Sequence, residues 1–279
     1  MLKKLLKYDF HAVFRYWWII LCTQIGVTAA SAFVLKFVVD TAEKESFSFL
    51  RACGICFLMV AAFTVFLAPL LSSLLCYFRF YKNLFTDEGY LTFTLPVTRR
   101  QILLSKTLVT LFFNAIDFIC VFLCLCVVLL IGLSGAEVTF AELVRSAFES
   151  LLQNFGGGWI LVLLAGIVAL VGSALLNVSA IFLCITLGAT VFKKMKVLGA
   201  IGIYYLGQML FQLVTQIFGL FGLIFMLPGI AVVSSNATAG QGAVICSLVV
   251  LIVAAAVFVV GFTFYFIMLG IVERKLNLP

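Results

Sequence analysis

Six apolar stretches recur along the chain, at residues 16–38, 52–77, 107–133, 160–191, 197–227 and 243–271. Each is long enough to cross a bilayer core, which takes about 20 residues at helical rise. Hydrocarbon offers no water to backbone N–H and C=O groups, so segments of this kind are expected to be helices that close their own hydrogen bonds. Composition points the same way: 65% of the residues are hydrophobic and 10% charged, against roughly 45–50% and 25% in a soluble domain. The expected fold class is an all-α integral membrane protein with six transmembrane helices, residues 1–279 forming one transmembrane domain.

Charge placement predicts orientation, because Lys and Arg collect on the cytoplasmic side. One side takes Lys3, Lys4, Lys7 and Arg15, then Arg79, Lys82, Arg99, Arg100 and Lys106, then Lys193, Lys194 and Lys196, and finally Arg274 and Lys275, which is 14 of the 18 basic residues. The other keeps Lys36, Lys44, Arg51 and Arg145 beside Asp40, Glu43, Glu45, Glu137, Glu142 and Glu149. Both termini are therefore expected in the cytoplasm. The net charge of +7 fits this topology and anionic inner-leaflet lipid, and is no argument for a nucleic-acid partner. Residues 29–32 resemble a small-residue cleavage site after an apolar run. The arm before them is too long and too patterned for a signal peptide.

All nine cysteines fall within the proposed spans, where they pack as small apolar residues and imply no disulfide framework. Cys53 and Cys56 have CxxC spacing, but packing is the better account at the end of a membrane helix.

Two segments outside the spans read as amphipathic helices. In the arm at residues 1–15, Leu2, Leu5, Leu6, Phe10, Val13 and Phe14 oppose Lys3, Lys4, Lys7 and His11, and Trp17 and Trp18 follow at expected headgroup depth. In the outer loop at 134–159, Thr139 and Glu142 form a capping box with Val138 and Leu143 as its staple. Phe140, Leu143, Val144, Ala147, Phe148, Leu151, Leu152 and Phe155 make the apolar face there, and Glu142, Arg145, Glu149 and Gln153 the wet one. Gly156 to Gly158 can end that helix. A lid that only packs on the bundle and a gate are both open readings of it.

The longest polar interruption on the basic side is the connector at 78–106, FRFYKNLFTDEGYLTFTLPVTRRQILLSK. Thr86 can cap a short helix with Asp87 and Glu88 in its first turn, where acids suit the helix dipole. Pro96 must stop it. Thr98 and Gln101 then form a second capping box, with Val97 and Ile102 as staple, so a new helix starts and runs into the third span. Arg99 and Arg100 fall at its first two positions, where the dipole disfavours cations. Lipid phosphate or an acidic partner is expected to compensate them.

Within this connector, DEGYLTFTLPVTRRQILLSK resembles the cytoplasmic loop of permeases from type 2 ATP-binding-cassette exporters. Asp87, Glu88, Gly89, Tyr90, Leu91, Leu95, Pro96, Val97, Thr98, Arg99 and Lys106 occupy positions that match the pattern. The opening LKKLLKYDF and the following YWW are also similar to small permeases of this kind from Gram-positive bacteria. The sequence-specific likeness covers about 30 residues, and the topology covers the whole chain. It implies a permease in the bacterial plasma membrane that pairs with itself or a sister permease. A separate ATPase subunit would grip the loop at Asp87, Glu88, Gly89, Tyr90, Leu95, Pro96, Thr98, Arg99 and Arg100. No G-x-x-x-x-G-K-[ST] phosphate loop occurs in the chain, so ATP and Mg would be bound by that partner. No cofactor or metal is expected here.

Intramembrane polar groups are costly and usually face a bundle interior or a cavity. Thr110, Asn114 and Asp117 share a face of the third span, with Asp117 expected to be protonated or paired with an amide. Gln208, Gln212 and Gln216 recur at four-residue intervals on the fifth, beginning beside Tyr204 and Tyr205. In the resembling exporters the second and fifth spans line the central path, which makes the glutamines the leading expected substrate-facing surface, with Asn114 and Asp117 of the third span as further candidates. Amide contacts at a dimer interface are the equal alternative for the glutamines, and a structural bond between helices is the preferred one for Asp117. Gln24, Thr28 and Ser31 form a weaker stripe, and Pro69 is a candidate kink in the second span.

A membrane-embedded enzyme would need paired carboxylates or several histidines, and the chain offers one His, outside the spans, and one span carboxylate, Asp117. The expected function is export of an amphipathic, peptide-like or lipid-like substrate. The alternative is a channel or non-transporting anchor that recruits a cytoplasmic complex through 78–106.

Overall fold

The computed structural model describes residues 2–41, 48–86, 88–94, 96–132, 140–155, 159–192, 198–209, 211–212, 216 and 239–275. Seven helices organise them: α1 (Leu2–Asp40), α2 (Ser48–Phe85), α3 (Glu88–Phe93), α4 (Arg99–Gly132), α5 (Phe140–Phe155), α6 (Trp159–Val191) and α7 (Ala239–Lys275). Residues 198–209 are helical as well, and no strand occurs among the described residues. Among the described residues five helices, α1, α2, α4, α6 and α7, are long and apolar enough to cross a membrane. The chain is an all-helical, multi-pass membrane protein. The stretch expected at 197–227 as a sixth span lies largely outside the described residues.

Three helices run further than the apolar stretches that define them. The arm at 1–15 and the first span form one unbroken helix of 39 residues. The second span continues past residue 77 to Phe85, and α4 begins at Arg99, before the stretch at 107. For α2 the reason is periodicity: Cys76, Phe80 and Leu84 recur every four residues and all three are buried, so one apolar stripe carries the helix beyond the hydrocarbon-length segment. The helix also passes through Pro69 without interruption.

The chain divides into two compact units. The first takes Met1–Phe80 and Leu104–Phe148. The buried residues of α1 (Asp9, Val13, Trp17, Gln24, Thr28, Ser31 and Ala32) fall on one face at spacings of three, four or seven apart from the adjacent pair at its end. Val13 and Trp17 join Cys76, Val109 and Phe113 in a core edged by Leu6, Phe10, Leu21 and Ile116. Phe10 stacks on Phe113 with ring centroids 5.2 Å apart and meets the edge of Phe112 at 5.4 Å, offset arrangements that aromatic quadrupoles favour.

The second unit takes Tyr81–Leu103 and Glu149–Pro279. Here α6 packs along α7, with Ala254, Met268 and Val272 buried on one helix and Val178 and Phe182 on the other. Glycine makes the close approach possible, as is usual where apolar lipid supplies no drive for helices to associate. A Cβ at Gly172 would sit 3.0 Å from the Phe258 ring, and one at Gly261 would sit 2.7 Å from the Leu175 side chain and 3.3 Å from the backbone of Leu176.

Candidate functional site

The connector is more tightly built than a solvated link. After α2 ends, the Gly89 N–H donates to the Thr86 carbonyl at 2.8 Å, and the chain folds back so that a Cβ at Gly89 would lie 2.6 Å from the carbonyl oxygen of Leu84. Glycine is required there by that approach. The Thr92 hydroxyl lies 3.0 Å from the Asn83 carbonyl of α2 and 3.0 Å from the Glu88 carbonyl of its own helix. Lys82 and Glu88 form an exposed ion pair at 2.8 Å, which contributes little by itself. The six-residue α3 is therefore held against the last turn of α2.

Thr86 does not cap α3 through its side chain. Because α2 extends to Phe85, its last carbonyls need donors, and the Thr86 hydroxyl donates to the Lys82 carbonyl instead. Thr98 does begin α4: its carbonyl accepts the Gln101 N–H at 2.9 Å and the Ile102 N–H at 3.3 Å. Pro96 and Val97 form the bend before it. Asp87 and Leu95 lie outside the described residues, as does the side chain of Tyr90.

Arg99 and Arg100 find partners inside the chain. The Arg99 guanidinium donates to the Val272 carbonyl at 3.2 Å and the Glu273 carbonyl at 2.9 Å, both in the last turn of α7. Arg100 Nε donates to the Glu273 carboxylate at 3.0 Å. A helix end leaves its final carbonyls open and carries partial negative charge, so cations suit it. The compensation expected from lipid or another protein is supplied, for these bonds, by α7.

In the first unit a polar seam runs through the apolar core. Lys106 is paired with Asp9 at 3.1 Å, with both side chains over nine-tenths buried, and the Ser105 hydroxyl donates to the same carboxylate at 2.8 Å. Further along, Trp17 Nε1 donates to Asp117 Oδ1 at 2.6 Å. Trp17 is thus a core residue, while its neighbour Trp18 is exposed. Ser72 is buried beside Asp117.

The expected path residues fall in both units. Asp117 is buried and Asn114 half-buried in the first unit, whereas Gln208, Gln212 and Gln216 are exposed in the second. The stripe on α1 is the buried one: Gln24, Thr28 and Ser31 all face inward. Thr28 and Ser31 bond back to carbonyls of their own helix, at 2.7 and 2.9 Å, and Gln24 Nε2 has no partner among the described residues. Asp9 is the residue that sequence reasoning passed over, although an acid on the apolar face of a basic arm signals a buried partner.

Trp17→Phe keeps the ring and removes the N–H, leaving Asp117 Oδ1 short of its donor. It is expected to cost about 1–3 kcal/mol, read as a lower unfolding midpoint of the purified chain, with Trp17→Phe/Asp117→Leu recovering most of it. Equal midpoints for Trp17→Phe and wild type would show that the bond contributes nothing.

These features define a multi-pass helical membrane protein with a structured connector between two of its long helices. Comparison with family models, with curated proteins and with solved structures gives no match.

Proposed function

We propose that this chain is the membrane-spanning permease subunit of an ATP-driven exporter, moving an amphipathic, peptide-like or lipid-like substrate out of a bacterial cell. The observation that carries the reading is the connector: α3 is held on the end of α2 by Gly89 and Thr92 and is followed by a Pro96 bend into α4. A short rigid helix between two long membrane helices is a suitable handle for a soluble ATPase, because a push on α3 reaches α2 and α4 through fixed contacts. Such a two-position element is what coupling needs. The likeness of DEGYLTFTLPVTRRQILLSK to exporter loops supports the same assignment.

On this reading the sixth span lies at 197–227 and both termini are cytoplasmic. The arm, as the headgroup end of α1, and α5 are interfacial, a role supported by exposed Lys3, Lys4 and Lys7 on α1 and by exposed Val144, Phe148 and Leu152 on α5. A second permease completes the pathway, and ATP and Mg sit in the partner ATPase, so this subunit performs no covalent chemistry. Asn114, Asp117, Gln208, Gln212 and Gln216 remain the proposed substrate-facing set.

The test is purification of the tagged chain from native membranes in mild detergent. A soluble ATPase is expected to accompany it in equal amount, and Glu88→Arg, on the exposed side of α3, is expected to release it. A chain that purifies without any nucleotide-binding partner sinks the exporter reading in favour of a channel or anchor.

A further inference from the structure

The polar end of the first unit holds more positive charge than its carboxylate balances. Lys106 is matched by Asp9 at 3.1 Å. Arg79, on α2, lies within electrostatic reach of Lys106 and of Cys76. Its Nε is buried and has no hydrogen-bond partner among the described residues. A buried guanidinium donor left unpaired costs free energy, more than a neutral group does. The Asp9 carboxylate here is already taken by Lys106 and Ser105.

Depth along α1 indicates what completes the cluster. Exposed Tyr16 and Trp18 mark an aromatic belt of the kind found where hydrocarbon meets headgroups. Asp9 precedes them by seven and nine residues, roughly 10–14 Å along the helix. Exposed Lys3, Lys4 and Lys7 follow in the same direction. The cluster thus sits on the headgroup side of the belt, where phosphate groups are abundant and basic sites between membrane helices take them. A guanidinium is the side chain whose donor fork fits phosphate oxygens.

We propose that Arg79, with Lys106 beside it, forms a binding site for a phosphate-bearing anion at the headgroup end of this unit. Arg79 supplies the fork and Lys106 the second charge, while Asp9 and Ser105 hold Lys106 in place. An anionic lipid headgroup and free inorganic phosphate share this chemistry. The site does not depend on the exporter reading.

The experiment follows the unfolding midpoint of the purified full chain in detergent, titrated with short-chain phosphatidylglycerol, short-chain phosphatidylcholine or inorganic phosphate. Phosphatidylglycerol is expected to raise the midpoint with half-saturation about tenfold below that of phosphatidylcholine. Arg79→Gln is expected to weaken that response about tenfold, and Lys36→Gln, an exposed cation at the other end of α1, to leave it unchanged. If inorganic phosphate reproduces the shift, the occupant is the soluble anion and the site stands. If Arg79→Gln does not fold, Arg79→Lys carries the test, with a several-fold loss expected from the missing fork. An unchanged response in the tested Arg79 variant, or no response to any of the three probes, overturns the proposal.

Discussion

Asp9→Ala is expected to destabilise the chain by about 3–5 kcal/mol, because it removes the carboxylate paired with the Lys106 ammonium in a site where that side chain is 7% exposed. The Coulombic attraction within the pair is not the main term. Burying both ions costs heavily, and their attraction only offsets that cost. Removing one partner keeps the desolvation of the other and loses the compensation, and Ser105 loses its acceptor as well. Two variants separate these contributions. Lys106→Met alone leaves the carboxylate buried but still accepting from Ser105, so it is expected to cost less than Asp9→Ala. Asp9→Ala/Lys106→Met removes both charges and is expected to return to within about 1 kcal/mol of wild type, or to exceed it. Unfolding midpoints of the four proteins in one detergent decide the matter. An Asp9→Ala protein as stable as wild type would mean that water reaches Lys106 and the pair is not sealed.

That pair also shows which features the sequence made legible. Long apolar stretches located all five candidate spans among the described residues to within a few residues at one end or both, because hydrocarbon length and composition are local properties. The Pro96 bend and the start of α4 after Thr98 were readable for the same reason, since caps and breakers act over a few residues, whereas the Thr86 cap expected for the short helix is spent on α2 instead. The extension of α2 to Phe85 was legible too, in the spacing of Cys76, Phe80 and Leu84, but the charges of Arg79 and Lys82 concealed it. Asp9 and Lys106 stand 97 residues apart, and nothing local to either chooses the other. Trp17 and Trp18 are adjacent and chemically alike, yet one is a core donor and the other lies on the surface. Only the rotation of α1 against α4 distinguishes them, and that rotation belongs to packing. The glutamine stripe shows a limit of the same kind, since regular spacing defines a face without saying what the face meets.

Arg99→Glu is expected to loosen the end of α7 far more than any change at Arg100. Arg99 makes two charge-assisted bonds to main-chain carbonyls, at 3.2 and 2.9 Å, and bonds to charged groups contribute about 1.5–3 kcal/mol. A carboxylate in its place faces the negative end of the helix dipole beside Glu273, so attraction becomes repulsion. The Arg100 pair with Glu273 is exposed, with side chains 71% and 38% accessible, and such pairs contribute about 0–1 kcal/mol. Hydrogen exchange reads the difference directly, because terminal turns open locally without global unfolding. Amides in the last turn of α7 are expected to exchange about ten- to a hundredfold faster in Arg99→Glu, while Arg100→Gln changes them little and Arg99→Lys falls between the two. Protection unchanged in Arg99→Glu would show that the clamp carries no free energy. If protection falls as expected, the connector is energetically joined to α7 as well as to α2 and α4, and on the exporter reading a push on α3 would be felt by three long helices rather than two.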